Sequence, residues 1–412
     1  MISVITLSLV FILIAIRQIG NVRLQIWQIM AGGALTVLLT GGISPSAAVK
    51  SVNFDVIFFL FGMFVVGEAL EKSGYLSYLS YNYFKYGKTK SSLLLFIILG
   101  MGFLSVFLMN DTVAIIGTPV VLMLAEGNNL PAKPLLLALA FSVTIGSVMS
   151  PIGNPQNLLI ALNGNVNNIF AEFGKYLILP TLINLAMVFI ILKIFYKDSF
   201  NKEVIKHKPV DVKNDKLTLL SKFSLGLIFI MVILKIVLLF LRINVDLRLT
   251  YIAIAAALPV LIFSNKRIEI IKKVDWHTLI FFIAMFILMQ SVWNTGVFQN
   301  MISKANVNIM SLIMILAVSV LLSQLISNVP LVALYLPLLL SLGVSSKGLM
   351  ALAAGSTIAG NLFILGAASN IIIIQNAEKR SGETITFAEF TKIGLPLTII
   401  NVLIYYIFLK IL

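Results

Sequence analysis

The 412-residue chain contains no cysteine, which excludes disulfides, thiolate metal sites and thiol nucleophiles. Histidine is almost as scarce: His207 lies in a polar loop and His277 at the end of an apolar segment. Two histidines so placed make no metal-ligand spacing. Charged residues are only 11% of the chain, against about a quarter in soluble domains. No polar stretch is long enough to fold alone, so the chain reads as one membrane domain. An intramembrane enzyme would need histidine, cysteine or paired acids within the apolar runs; they are missing, and so is arginine.

What remains is 59% hydrophobic and comes in runs of about 17–25 residues, the length that crosses a hydrocarbon core of about 30 Å. The runs predict spans at 2–16, 25–41, 52–70, 91–109 with 110–126, 132–163 (interrupted) and 176–196. The remainder fall at 222–241, 248–264, 276–292, 307–326 with 329–343, 347–376 (interrupted) and 392–411. The first run lacks a basic leader and a small-residue cleavage site, so it reads as a spanning helix rather than a signal peptide. Net charge is +14. In a soluble protein that would suggest nucleic acid; here it marks cytoplasmic loops. Twenty-two Lys and Arg fall in loops on one side and seven on the other, with Lys235 inside a span. The expected topology in the cell membrane has both termini outside and the 193–222 loop in the cytoplasm, with no nucleic-acid partner.

The halves repeat. VNFDVIFFLFGMF from Val52 resembles VDWHTLIFFIAMF from Val274. Asn110 and Pro119 recur as Asn328 and Pro337; Thr144, Gly153 and Asn157 recur as Thr357, Gly366 and Asn370; FAEF at Phe170 recurs at Phe387. Each half holds about five spans plus a helical hairpin, an odd number of crossings, so the copies must lie in the membrane upside down to each other. The expected fold is an all-α polytopic membrane protein of two inverted repeats, 1–196 and 222–412, joined by a 197–221 linker. That plan is common in secondary carriers, whose site lies at the repeat interface.

Four places break the apolar runs. Met109-Asn110-Asp111-Thr112 and Ser327-Asn328-Val329-Pro330 look like hairpin tips, with Asn328 pairing with either Asn110 or Asp111 in the repeat. Ser147 to Asn157 and Gly355 to Asn370 are Gly, Pro, Asn and Ser clusters inside spans. Such clusters break helices, and the freed backbone groups must face protein or a wet cavity. Each following helix start offers a capping residue: Asn110 or Asp111, Ser327 or Asn328, Asn154 with Pro155, and Ser369 or Asn370. Half-helix N-termini suit oxyanions, while carbonyl ends with Ser, Thr and Asn oxygens suit Na⁺. For a single break the ordinary reading is a packing kink; four breaks in repeat-related positions point to a site. Asp111, the one acid deep in a run, is either a cap or a proton or Na⁺ site. Glu68, whose repeat partner is Gln290, reads as interfacial. Lys235 reads as snorkelling, and FAEF and the 74–88 stretch as interfacial helices.

NDTVAIIGTPVV from Asn110, GNPQNLLIA from Gly153, SNVPLVALYLP from Ser327 and AGNLFILGAASNIII from Ala359 resemble the ion transporter superfamily. It includes citrate permeases, divalent anion:Na⁺ symporters, arsenite efflux carriers and certain Na⁺/H⁺ antiporters. The resemblance implies an elevator-like carrier of a small carboxylate or of arsenite or antimonite, coupled to Na⁺ or H⁺, without other cofactors, commonly as a homodimer. Carried over, Asn110, Asp111 and Thr112 would meet Gly153, Asn154 and Asn157, and Ser327 and Asn328 would meet Gly366, Ser369 and Asn370. The substrate would then touch Asn110, Thr112, Asn154, Asn157, Ser327, Asn328, Ser369 and Asn370. The coupling ion would touch Asp111, Ser150, Gly153, Thr357 and Gly366. The symporter branch carries SNT at both tips. Here the first tip gains a carboxylate, as in the arsenite and antiporter branches, and the second loses a threonine hydroxyl. A Na⁺/H⁺ antiporter using Asp111, and an ion channel, are the alternatives.

Overall fold

The computed structural model describes residues 2–16, 18–19, 22–164, 166, 169–200, 215–241, 243, 245, 247–297 and 310–412. Linker residues 201–214 with His207, and also Arg242, Lys304 and the first residues of the 307–326 span, lie outside the described residues. The rest is helical apart from one two-residue ribbon pairing Gln18–Ile19 with Val22–Arg23. Two compact units divide the chain, Met1–Tyr75 with Val212–Val307 and Leu76–Asp211 with Asn308–Leu412. Each unit therefore takes one piece from either side of the linker.

The first unit contains α1 (Ile2–Ile16), α2 (Ile26–Leu39), α3 (Pro45–Ser51), α4 (Phe54–Lys72), α11 (Lys216–Phe240), α12 (Leu249–Phe263), α13 (Arg267–Lys273) and α14 (Trp276–Trp293). Side-chain caps set two of the starts. Asn53 accepts from the Val56 N–H ahead of α4, and Asp275 accepts from the Thr278 N–H ahead of α14; such caps satisfy otherwise orphaned donors. The ends of these two helices match as well, since Gly74 and Gly296 follow them with φ of 74° and 70°, a left-handed backbone that glycine takes without a Cβ clash. Cap and stop both recur in the register that sets Val52 against Val274. Gly62 lets α4 close on α12, because a Cβ there would stand 2.8 Å from the Ala253 backbone. Outside the spans, Lys72 bonds Glu269 on α13 and holds its carboxyl below the usual range.

The second unit contains α5 (Tyr75–Phe84), α6 (Lys90–Leu108), α7 (Asn110–Gly127), α8 (Ala132–Ser147), α9 (Pro155–Asn163) and α10 (Ile169–Phe195). After the linker come α15 (Leu312–Ile326), α16 (Asn328–Ser341), α17 (Ser346–Ile358), α18 (Ala368–Ser381) and α19 (Phe387–Ile411). Each interrupted run is two helices, as the breaks predict. The separate interfacial helices expected at FAEF are not formed. Phe170 and Phe387 sit in the first turns of α10 and α19, unbroken helices of 27 and 25 residues. The apolar periodicity runs through these turns, and Pro180 and Pro396 leave the helices continuous. The 74–88 stretch does form a short helix, α5, whose Tyr83 hydroxyl donates to the Phe96 carbonyl at 3.3 Å.

The core of this unit is α8, with nearly every residue from Pro134 to Ser147 buried. It lies against α6, α7 and α10. The closest approach is at Gly146, where a Cβ would stand 2.1 Å from the Gly102 carbonyl oxygen. Gly226 in α11 has nothing within 4 Å of its Cβ position. Gly146→Ala is therefore expected to lower the thermal midpoint in detergent sharply, since backbone must move. Gly226→Ala is expected to raise stability by up to about 0.5–1 kcal/mol, the usual helix-interior difference. Thermal unfolding of the two variants beside the parent chain checks both signs.

Candidate functional site

All four breaks lie in the second unit. At the first hairpin tip α6 ends on Leu108 and α7 begins on Asn110, with Met109 between them at φ 60°, ψ 147°. At the second tip Ser327 separates α15 from α16 at φ 71°, ψ 160°. This backbone region belongs almost wholly to glycine and costs other residues about 1–3 kcal/mol. Met109 and Ser327 adopt it although neither is glycine, and they stand in the register that relates Pro119 to Pro337. The tips thus pair Asn110 with Asn328 and leave Asp111 opposite Val329, which decides between the two sequence registers. The Asn110 N–H donates to the Gly153 carbonyl at 3.0 Å, so the first tip lies beside the interruption of 132–163.

That interruption is built by asparagines. Asn154 accepts from the Asn157 N–H at 2.8 Å with Pro155 at the first helical position. The Asn157 amide donates to the carbonyls of Ser147 at 3.1 Å and Ser150 at 3.0 Å, which past the end of α8 also accept from the Ser150 and Gly153 N–H groups of the turns. The second interruption repeats the device, because the Asn370 amide donates to the Gly360 carbonyl at 2.6 Å. The register that sets Asn157 against Asn370 also sets Ser147 against Gly360, so donor and acceptor recur together. Glycine is required at both: a Cβ on Gly153 would stand 2.3 Å from the Ser147 oxygen, and one on Gly366 2.5 Å from the Ala359 oxygen.

Thr357, in the last turn of α17, joins the first interruption. Its hydroxyl oxygen receives Asn154 at 3.2 Å and Gln156 at 3.4 Å, and donates to Asn157 Oδ1 at 3.3 Å. Its repeat partner Thr144 has an unpartnered Oγ1. Asp111 Oδ1, Asn328 Oδ1, Ser369 Oγ, Asn370 Oδ1 and Gln324 Oε1 are likewise buried without a hydrogen-bond partner. The Gln324 amide holds the Ala359 carbonyl at 2.8 Å, and its bare oxygen is 2.8 Å from where a Gly366 Cβ would stand. Unmet buried acceptors cost about 1–3 kcal/mol each, a cost that any hydrogen-bond donor or cation reaching them would relieve. α7 packs on both α8 and α18, which brings the helices of Asp111, Thr144, Ser369 and Asn370 together, while α15 meets the turns at 359–361 and 364–366.

Several expectations change. Of the four helix starts only Asn154 caps through its side chain; those at Met109, Ser327 and Ala367 have no such bond. Asn110, Asp111, Asn328, Ser369 and Asn370 already sit in the first helical turn, and a capping residue must precede it in an extended conformation. Asn154 and Asn157 turn onto Ser147 and Thr357, leaving a backbone bond as the tie to Asn110. Thr112 and Ser150 are buried beside them, Ser150 Oγ accepting from the Ile152 N–H at 3.2 Å. Gln156 and Gln324 are additions that the sequence alone does not single out. Gln156 stands within GNPQN, masked by the asparagines around it, whereas Gln324 precedes its tip by a turn and has no repeat partner to reveal it.

A family model described as "Citrate transporter" (CitMHS) matches residues 9–348. The chain belongs to the citrate transporter family. It is 25% identical to a 46 kDa membrane protein of Mycobacterium leprae over 87% of this chain and 86% of that one. It is 28% identical to the silicon efflux transporter LSI3 of Oryza sativa subsp. japonica over 89% of each. The human P protein is 25% identical over 89% of this chain, which spans 55% of that relative's length. The crystal structure of the Alcanivorax borkumensis YdaH transporter aligns over 100% of this chain and 96% of that one, at 15% identity and a TM-score of 0.47. As a member of the citrate transporter family, the chain is a multi-pass membrane transporter.

In this family member the strain at the tips gives a direct test. Ser327 makes no capping bond, so Ser327→Gly removes the φ penalty and little else. The thermal midpoint is expected to rise, with a gain of about 1 kcal/mol in unfolding free energy after the added unfolded-state entropy of glycine; a fall would show that the hydroxyl holds the tip.

Proposed function

We propose that the protein is an ion-coupled secondary transporter of a small anion, built as an inverted duplication, with the second unit moving as the carrier. The observation that carries this reading is the gathering of both tips and both interruptions in one compact unit, with buried oxygens left bare around them. Oxygen atoms of Asp111, Thr144, Ser369 and Asn370 suit Na⁺ or a proton. In α7 the Asn110 and Asp111 N–H groups are already bonded, to the Gly153 carbonyl and to Asn110 Oδ1, but the starts of α16 and α18, which have no side-chain cap, suit the oxygens of an anion. With no arginine in any span, those amides are its natural partners. The family description names citrate, which fits a carboxylate substrate; arsenite and antimonite remain substrates to test because the first tip carries Asp111. A second reading, Na⁺/H⁺ antiport, is favoured by the same residue, a buried carboxylate with one oxygen unpartnered.

Ligand-dependent thermal stability separates the two. Purified protein is mixed with succinate, citrate, sulfate, arsenite or antimonite, in Na⁺ or choline, at two pH values. A ligand that binds only the folded state adds about 2.7 kcal/mol at 100 times its Kd. Stabilisation by one anion, increased by Na⁺ or by acid, is expected, and names the coupling ion. Stabilisation by Na⁺ alone, lost on acidification and in Asp111→Asn, would replace anion transport with antiport.

A further inference from the structure

Three buried amides are joined side chain to side chain within the second unit. Asn361 Nδ2 donates to Asn401 Oδ1 at 3.0 Å, and Asn401 Nδ2 donates to Asn184 Oδ1 at 2.8 Å. All three side chains are 0% exposed. A row of three amides joined by two bonds leaves an acceptor open at one end and a donor at the other; here Asn361 Oδ1 is buried without a partner, and Asn184 stands beside the Tyr405 hydroxyl. Asn184 and Asn401 face each other from α10 and α19, in the same register as the FAEF turns that begin those helices. A second bond, Thr181 Oγ1 to the Tyr405 hydroxyl at 2.7 Å, joins the same helices.

The row ends in the second interruption. Asn361 closes the turn at 359–361, and its carbonyl lies against α19, where a Cβ on Gly394 would stand 2.1 Å from it. The preceding carbonyl, Gly360, is the one that accepts from Asn370. Holding Asn361 therefore holds Gly360, then Asn370, and with it the first turn of α18 that carries Ser369. In the first half, the register that sets Ser147 against Gly360 sets Val148 against Asn361, and valine has no amide to offer. That interruption is tied through Thr357 instead, so the two are held by different devices.

We propose that Asn184 and Asn401 are positioning residues: through Asn361 they set where the second interruption stands, and so where Ser369 and Asn370 point. The inference rests on the transport reading only in naming that place as the site. Because the chain has no cysteine, Ser369→Cys gives a single thiol reporter there, and Ser142→Cys, buried in α8, gives a control in the same unit. Maleimide labelling of the full-length protein is timed with and without a cut in the row. Asn401→Leu strands two amides, and Asn361→Ala removes the last. Either is expected to speed labelling of the 369 thiol by about tenfold or more, the change given by losing one satisfied buried bond from a local opening equilibrium, with the 142 thiol unchanged. Asn184→Leu, which leaves the Asn401–Asn361 bond, is expected to speed it less. An unchanged 369 thiol, or a parallel rise at 142, would overturn the proposal by showing no effect or a general loosening. Should Asn401→Leu fail to fold, Asn361→Ala decides alone. Labelling judges the row and ligand stabilisation judges transport, so either idea fails on its own measurement.

Discussion

A peptide group in hydrocarbon has no water to turn to, and an unsatisfied one costs several kcal/mol. A membrane helix can therefore stop midway only if other protein groups take over its freed carbonyls and amides. The second unit meets this constraint with asparagine. Asn157 and Asn370 reach back to the carbonyls of Ser147 and Gly360, and a glycine just before each following helix leaves room for the chain to pass. An aspartate in either place would bring a charge and lose the donors; a serine would fall short of the span. The hairpin tips use strain instead, reversing direction over one residue in a backbone region that only glycine takes at ease.

The asymmetry between the halves is as informative as their likeness. The first interruption is closed upon itself, for Thr357 occupies the acceptor and donors of Asn154, Gln156 and Asn157. The corresponding group around Thr144, Ser369 and Asn370 keeps its oxygens unpartnered. A duplicated frame has thus been given one saturated and one unsaturated centre. The second is where an added cation or proton would recover the most free energy, because the acceptors there have already lost water.

Most of the frame was legible in the sequence because the bilayer makes length and polarity decisive. A run such as 91–126 must be helix, and NDT in its middle must be a break. Repeat spacing located the asparagines, since chance does not supply Asn157 and Asn370 in the same context. Less legible was what each polar side chain does. Whether Asn110 caps its helix or lies inside it turns on the φ of Met109, which no local pattern announces. The FAEF turns read as interfacial helices, yet one glutamate at a helix start is favoured by the dipole and does not break the run, so both continue into long helices. Gln324 and Asn361 have no counterpart in the other half, so a search for repeats passes over them.

The two halves differ where their residues lack a counterpart. Symmetry-related positions fix the backbone: the same glycines, the same reaching asparagines, the same helix starts. The residues that lack a counterpart, Asp111 opposite Val329, Gln324 opposite Val106 and Asn361 opposite Val148, each place a polar group against an apolar one. Asp111 can change without touching the carbonyl-closing bonds that make a broken helix tolerable in lipid, whereas Gln324 itself closes the Ala359 carbonyl and Asn361 stands next to the Gly360 carbonyl that Asn370 closes. Selection for a substrate or a coupling ion would then act most freely at Asp111, while the repeated asparagines and glycines are held by the solvent itself.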